Sequence, residues 1–261
     1  MDNRETKGRK IAAHSQTGAA IKPHSKNARR HEPADARHRF CYTSGMATFL
    51  LWLGGGVAAY LLGSIPFGFL IAKSQGKDIR TLGSRNIGAT NVFRSVGKTL
   101  GIVTFILDFL KGFCGVKLIP MLAVACTSAD GAGMGLALFC GAMTVVGHNW
   151  TCFLGFKGGK GIATSAGLVL GLTPAGVGIA FAVWLALFLT TRYVSVASIG
   201  AALALGVVVW WPLKLYAAHG LWFPCVLTLL ALMAVWKHRA NIARLCAGTE
   251  SRFSSGSKKK G

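Results

Sequence analysis

The fold class is decided by residues 47 to 72, which read ATFLLWLGGGVAAYLLGSIPFGFLIA. This stretch has no charged side chain over 26 residues. A helix rises about 1.5 Å per residue, so about 20 apolar residues cross a hydrocarbon core of about 30 Å. The stretch is long enough to cross a bilayer, and it therefore predicts an integral membrane protein.

Working outward from this stretch, several more apolar segments are separated by short polar connections. They cover residues 99–126, 133–147, 162–190, 194–213 and 218–236. The segment 162–190 is interrupted by Gly171 and Pro174, so it forms either one long helix or two shorter ones. The chain is thus predicted to be all-α, with six or seven transmembrane helices.

Charged residues between the apolar segments help to choose between six and seven. The loop 73–98 has six basic residues and one acid, and the tail from Lys237 has seven basic residues and one acid. Cytoplasmic loops carry such an excess of Lys and Arg. Arg192 and the tail can both be cytoplasmic only if residues 162–190 cross twice. We therefore predict a compact bundle of about seven transmembrane helices, with its N terminus outside and its C terminus in the cytoplasm.

The two ends of the chain are polar. Residues 1–45 have ten basic and four acidic residues and few large apolar side chains, which predicts a disordered extension. Met46 directly precedes the first apolar segment, so we expect translation to begin there, or the extension to be irrelevant to activity. Residues 46–248 form the predicted membrane domain, and 249–261 a basic cytoplasmic tail.

The overall composition agrees with a membrane protein: 52% of the residues are hydrophobic and 14% charged, against about 25% charged in soluble domains. The formal net charge is +21, and nucleic acid is one partner that such a charge can indicate. However, the charges of the membrane domain cluster between apolar segments, which favours cytoplasmic loops and anionic substrates over nucleic acid. The seven cysteines have no CxxC spacing, which argues against a zinc site.

The first polar motif is GSRNIGATNVFR at residues 83–94. Glycine allows backbone N–H groups to approach an anion, and arginine offers paired donors to phosphate. The second motif is GHNWTCFLGFKGGKG at 147–161, where a glycine-rich backbone and two lysines precede an apolar helix. That arrangement favours an anion cradle, although an interfacial turn with snorkelling lysines has the same composition. It does not match the Walker A pattern, so ATP binding is not implied.

Two further polar motifs lie at helix ends. Ser195 and Ser198 share one face at the start of an apolar segment, and His238 and Asn241 share one face after the last. Serines that cap helices and interfacial histidines have the same pattern. Asp108 and its i+3 neighbour Lys111 lie inside a predicted span, where they form either a structural ion pair or part of a substrate site.

These motifs, together with GSIPFG at 63–68, LDFLKG at 107–112 and HRAN at 238–241, occur in an order that resembles the bacterial acyl-phosphate:glycerol-3-phosphate acyltransferases, the PlsY family. The resemblance covers residues 46 to about 248. It implies a bundle of seven membrane helices in the bacterial inner membrane, with a cytoplasmic active site. It also implies transfer of an acyl group from acyl phosphate to the sn-1 hydroxyl of glycerol 3-phosphate, the first step of phospholipid biosynthesis.

The resemblance also implies roles for particular residues. The expected catalytic residues are Ser84, Arg94, Ser195, His238 and Asn241. The expected phosphate-binding residues are Asn86, Thr90, Asn91, Lys157, Gly158, Gly159, Lys160 and Gly161. Three positions depart from the family pattern: Arg85 replaces glycine, Thr151 replaces proline and Ala240 replaces glutamate.

An acyl phosphate is already activated, so the site must mainly orient two phosphates and stabilise their charge. The sequence has no G-x-S-x-G motif, which argues against a covalent serine intermediate. The acceptor proton goes either to His238 or to a phosphate oxygen of the donor. We expect no cofactor and no metal, and a monomer in membrane lipid that contacts the enzyme supplying acyl phosphate.

Two rival functions fit less well. A magnesium-dependent lipid-phosphate transferase needs acidic loops, and Asp78 is the one acid in the first loop. An anion transporter needs polar groups near the membrane midplane, whereas these motifs lie on one predicted side.

Overall fold

The computed structural model describes residues 34–127, 133–210 and 220–253, and the regular structure in these ranges is helical throughout. The chain divides into two units, Met1–Phe40 and Cys41–Gly261, and the site described below lies in the second. The prediction of an all-α protein is confirmed for the described ranges. In chain order the helices are α1 (Ala34–Ser64), α2 (Phe67–Ser74), α3 (Ala89–Ser95), α4 (Lys98–Thr127), α5 (Gly133–Asn149), α6 (Ile162–Leu172), α7 (Pro174–Thr191), α8 (Val194–Val208), α9 (Trp222–Lys237) and α10 (Arg239–Cys246).

In the part of the chain that the structure describes, three helical stretches are long and apolar enough to cross a membrane: Gly45–Ser74, Gly133–Leu154 and Pro174–Thr191. Helices α6, α8 and α9 are apolar but shorter. Large apolar side chains cover much of the outer surface; Val207 is 67% exposed and Leu229 65% exposed. An exposed apolar surface of this extent suits contact with lipid. Length and composition thus support three of the seven predicted crossings.

The apolar segment 162–190 forms two helices. Thr173 ends α6 and caps α7, because its hydroxyl oxygen accepts a hydrogen bond from the Gly176 amide at 3.1 Å. Pro174 follows at the first position of α7, where a missing N–H does not matter. Helix α6 has 11 residues and is therefore only about 16 Å long. The expected break is confirmed, and the first of the two helices is short.

Helix α4 lies at the centre of the packing, in contact with α3, α5 and α6. Glycines allow α4 and α6 to approach closely. A Cβ on Gly112 would overlap the Thr164 carbonyl, and one on Gly167 would overlap the Phe109 carbonyl. Small residues at contacts between apolar helices permit such close approach. The contact holds the first turn of α6 beside Asp108 of α4, and both line the cavity described below.

Asp108 and Lys111 form the ion pair that their spacing suggested, at 2.9 Å between Oδ1 and Nζ. Lys111 also donates to the carbonyls of Gly63 and Ile65, at 2.9 Å each. These carbonyls lie at the end of α1, where Pro66 interrupts the helical hydrogen bonds. Lys111 is therefore a structural residue that joins α1 to α4.

The polar ends of the chain are only partly described. Helix α1 begins at Ala34, so the backbone is helical over residues for which the sequence predicts disorder. An existing helix extends with little cost when the added residues, here ADARHR, contain no Gly or Pro. Residues 1–33 and 254–261 lie outside the described ranges. The start of translation at Met46 stays a prediction.

Candidate active site

Motifs that are far apart in sequence meet at one polar cavity of about 600 Å³. It is lined by the loop before α3 and α3 itself, the first half of α4, the loop before α6, the start of α8 and the chain from His238 onward. Ten of the thirteen predicted site residues line it: Ser84, Asn86, Thr90, Asn91, Arg94, Lys160, Gly161, Ser195, His238 and Asn241. The remaining three, Lys157, Gly158 and Gly159, are not part of its lining.

The loop before α3 is held by the buried side chain of Asn91. Its Oδ1 accepts from the Ser84 amide at 3.1 Å, and its Nδ2 donates to the carbonyls of Leu82 at 3.0 Å and Asn86 at 2.8 Å. Both amide hydrogens are thus directed at the loop's own carbonyls. Asn91 therefore shapes the loop, and Ser84 lines the cavity; a phosphate contact of Asn91, which also lines the cavity, stays a prediction.

The glycine-lysine loop divides into two parts. Lys160 and Gly161 line the cavity, whereas the side chain of Lys157 is exposed outside it. The Gly159 amide donates to the His148 carbonyl at 3.0 Å, and a Cβ on Gly158 would overlap that same carbonyl. These two glycines therefore pack the loop onto the end of α5, and the packing points Lys160 inward. Of the five residues expected to surround a phosphate, Lys160 and Gly161 line the cavity, and phosphate binding by any of the five stays a prediction.

A chain of hydrogen bonds connects five polar side chains in the cavity. Lys160 donates to Oδ1 of Asn241, and Nδ2 of Asn241 donates to Glu250 at 2.6 Å. The Ser195 hydroxyl donates to the same carboxylate at 2.9 Å, and Arg244 donates to its other oxygen at 2.7 Å. Because its hydrogen is committed to Glu250, the Ser195 oxygen offers its lone pairs to the cavity.

Burial lowers the pKa of Lys160 to about 8, because the charged ammonium loses contact with water. The Glu250 carboxylate opposes this shift, whereas the positive charges of Arg244 and Arg94 add to it. Lys160 is therefore largely protonated at neutral pH and surrounded by other cations. A bound dianion would relieve that repulsion, so the site favours phosphate.

His238 is buried between α9 and α10 and lines the same cavity. Burial, followed by the nearby charge of Lys160, lowers its pKa to about 4, so the imidazole is neutral at neutral pH. Its Nδ1 lies 2.8 Å from the Ala234 carbonyl oxygen. A carbonyl can only accept, so Nδ1 carries the proton and Nε2 has a free lone pair.

Glu250 also lines the cavity, although the sequence predicts a basic cytoplasmic tail for residues 249–261. Its side chain is 7% exposed. The segment around it is fixed to the helices: the Phe253 amide donates to the Arg192 carbonyl at 2.8 Å, and Arg94 donates to the Ser251 carbonyl at 3.2 Å. One signal was present, since Glu250 is the single acid among the basic residues after Lys237.

A second, apolar cavity of about 400 Å³ adjoins the polar one. It lies between α4 and helices α6 to α9. Both cavities are lined by Phe105, Ile162, Trp184 and Ser198. The two spaces therefore meet at these four residues, one with charged walls and the other with apolar walls.

Comparison with known proteins identifies the family. The family model described as glycerol-3-phosphate acyltransferase matches residues 53–248. Proteins named glycerol-3-phosphate acyltransferase are similar to this chain: the one from Desulforamulus reducens is 47% identical over 204 residues, which are 78% of this chain and 94% of the relative. The one from Aquifex aeolicus is 43% identical over 197 residues, 76% of this chain and 96% of the relative.

A crystal structure of PlsY, described as an integral membrane glycerol 3-phosphate acyltransferase in its glycerol 3-phosphate form, is also similar. The TM-score is 0.67 at 41% sequence identity, over 78% of this chain and 96% of that one. The lysophosphatidic acid form of PlsY has a TM-score of 0.65 at 40% identity, with the same coverage. The chain therefore belongs to the glycerol-3-phosphate acyltransferase family.

Proposed function

We propose that this protein transfers an acyl group from acyl phosphate to the sn-1 hydroxyl of glycerol 3-phosphate, giving lysophosphatidic acid and phosphate. The observation that carries the proposal is the junction of the polar and apolar cavities. An acyl phosphate has a phosphate at one end and a hydrocarbon chain at the other, so it suits a site with these two kinds of wall. The product lysophosphatidic acid has the same two parts.

The polar cavity supplies charge for the phosphates. Arg85, Arg94, Lys160 and Arg244 line it, against the carboxylates Asp108 and Glu250. Each substrate carries a phosphate, and preorganised cations stabilise the charge that develops on the leaving phosphate. Ser84, Asn86 and Thr90 add polar groups to the cavity lining, which suits the glycerol hydroxyls and phosphate oxygens.

The chemical step needs no covalent intermediate. The sn-1 hydroxyl oxygen forms a bond to the acyl carbon, the bond between that carbon and the bridging phosphate oxygen breaks, and inorganic phosphate leaves. The proton of the hydroxyl goes to a base. Nε2 of His238 has a free lone pair and lies in the cavity wall, and an oxygen of the departing phosphate is the alternative acceptor. The low pKa of His238 makes it a weak base, which favours the phosphate oxygen.

Seven crossings account for the way in which the helices reach the cavity. Helices α4, α6 and α8 begin near the cavity, and helices α5 and α9 end near it. Helix α7 ends at Thr191, three residues before the cavity residue Val194. Helices α6 and α7 thus leave the cavity end and return to it. This alternation supports a cytoplasmic active site and C terminus, with the start of the bundle outside.

The same arrangement supports a protein that works within membrane lipid of the bacterial inner membrane. We propose that it acts as a monomer, without nucleic acid, and receives acyl phosphate by contact with the enzyme that makes it. These points rest on the family resemblance and on the apolar outer surface.

Purified protein in detergent tests the function. Labelled glycerol 3-phosphate and palmitoyl phosphate should give lysophosphatidic acid and inorganic phosphate in equal amounts. EDTA should leave the rate unchanged, because the sequence predicts no metal requirement. Equal or faster turnover with acyl-CoA would contradict the proposed donor, and complete lack of turnover with both donors would favour transport.

A further inference from the structure

Arg85 has a backbone conformation that is unusual for its residue type. Its φ is +57°, in the left-handed region where a Cβ is disfavoured and glycine is usual. The conformation is imposed by the loop: the Arg85 amide donates to the Leu82 carbonyl at 2.9 Å, and Asn91 holds the residues on both sides. A strained residue in a fixed loop points to a function for its side chain.

The side chain of Arg85 differs from the other cations of the polar cavity. Lys160 donates to Asn241, Arg94 to the Ser251 carbonyl and Arg244 to Glu250. Within the described ranges the guanidinium of Arg85 has no hydrogen-bond or ion-pair partner. Arg85 is exposed and also lines the cavity, so it lies where the cavity opens to solvent. Its donors are therefore available to a ligand that enters.

We propose that Arg85 is a substrate-binding residue that holds a phosphate group at the entrance of the cavity. The inference rests on the proposed function, in which two phosphate-bearing substrates meet. Lys160 lies just before α6 and Arg94 lies in the last turn of α3, and these two cations suit one phosphate. Arg85 suits the other phosphate. A guanidinium binds phosphate through two parallel N–H donors, which a single ammonium cannot match.

The test compares the wild-type protein with Arg85→Gly, in detergent, with glycerol 3-phosphate and palmitoyl phosphate varied in turn. Glycine suits the backbone, so the variant should melt at the same or a higher temperature. The KM for one substrate should rise about tenfold, which corresponds to about 1.4 kcal/mol, while kcat stays within about twofold. A rise for glycerol 3-phosphate assigns Arg85 to the acceptor, and a rise for palmitoyl phosphate assigns it to the donor. Arg85→Lys should recover only part of the affinity.

Lys77→Ala is the matched control, because Lys77 is an exposed cation of the same loop that does not line the cavity. Its KM values should stay near those of the wild type. An equal rise of KM in Lys77→Ala would mean that the general positive charge of the loop attracts the substrates. Unchanged KM values in Arg85→Gly would mean that Arg85 binds neither substrate. Either result overturns the inference.

Calorimetric titration separates this inference from the proposed function. Glycerol 3-phosphate and palmitoyl phosphate are titrated separately into the wild-type protein and Arg85→Gly. If the wild-type protein binds these compounds but does not convert them, the proposed reaction is wrong. In that case a weaker affinity of Arg85→Gly for one of the compounds would still support the role of Arg85. Equal dissociation constants for both compounds in the two proteins would overturn it.

Discussion

Lys111 is buried and Lys160 is partly buried, and both lie near the polar cavity, but they have different surroundings. The ammonium of Lys111 contacts three oxygen atoms, from Gly63, Ile65 and Asp108, so its donors are fully used within the protein. Among the residues that the structure describes, the ammonium of Lys160 has one acceptor, the neutral Asn241, and it lies near the charges of two arginines. The comparison shows that hydrogen-bond satisfaction, more than burial, separates a structural cation from one available to a substrate.

The largest effect is expected for Lys111→Met. The substitution leaves the buried Asp108 with His148 alone, at 3.5 Å, and leaves two carbonyls at the end of α1 without a donor. We expect a loss of about 3–5 kcal/mol of stability. Thermal unfolding in detergent and the yield of monodisperse protein measure it. Lys117→Met is the control, because Lys117 lies on the same helix with an exposed side chain. Normal melting of Lys111→Met would show that Lys111 is not structural.

Lys160→Met should instead unfold normally and lose activity. Removal of the cavity ammonium should lower kcat/KM for glycerol 3-phosphate about a hundredfold, or about 2.7 kcal/mol. Lys157→Met, in the same loop but outside the cavity, should stay within about twofold of the wild type. Equal losses in the two variants would restore the prediction from sequence that both lysines bind phosphate.

Glu250→Gln tests, through the pH dependence of kcat/KM, how the surroundings of Lys160 keep its ammonium protonated. Protonated Lys160 binds phosphate, so kcat/KM should fall as pH rises through its pKa of about 8. The Glu250 carboxylate raises that pKa, so its removal should move the alkaline limb to lower pH and reduce kcat/KM about tenfold at pH 8. Glu250→Asp retains the charge and should leave the limb in place. Coincident pH profiles for Glu250→Gln and the wild type would mean that Glu250 only supports the fold.

The smallest effect is expected for Gly158→Ala. Its Cβ would overlap the His148 carbonyl and shift the loop that directs Lys160 inward. The KM for glycerol 3-phosphate should rise about threefold, with little change in kcat. Gly54→Ala, where no atom lies within 4 Å of the added Cβ, is the control. A KM equal to that of the control would show that the loop tolerates the displacement.

Much of the fold and site could be predicted from local features of the sequence. The apolar stretches and the Pro174 break predicted helices, because helix formation and bilayer insertion depend on residues close together in the chain. The motif at 83–94 predicted an anion site, and the spacing of His238 and Asn241 placed both on one helix face; most residues of the motif and both of these side chains line one cavity. The number of membrane crossings was harder to predict, because α6 has only 11 residues and its length does not show whether it crosses the membrane.

The sequence by itself determined the helical membrane class, the family and the residue types that meet a phosphate, since these depend on composition and order along the chain. Only the tertiary structure decided the direction of each side chain. Lys160 meets Asn241 across 81 residues of chain, and Ser195 meets Glu250 across 55. Such contacts are set by how α8 and α9 pack beside the loop before α6, so no local pattern reveals that Lys157 points away or that Glu250 points in.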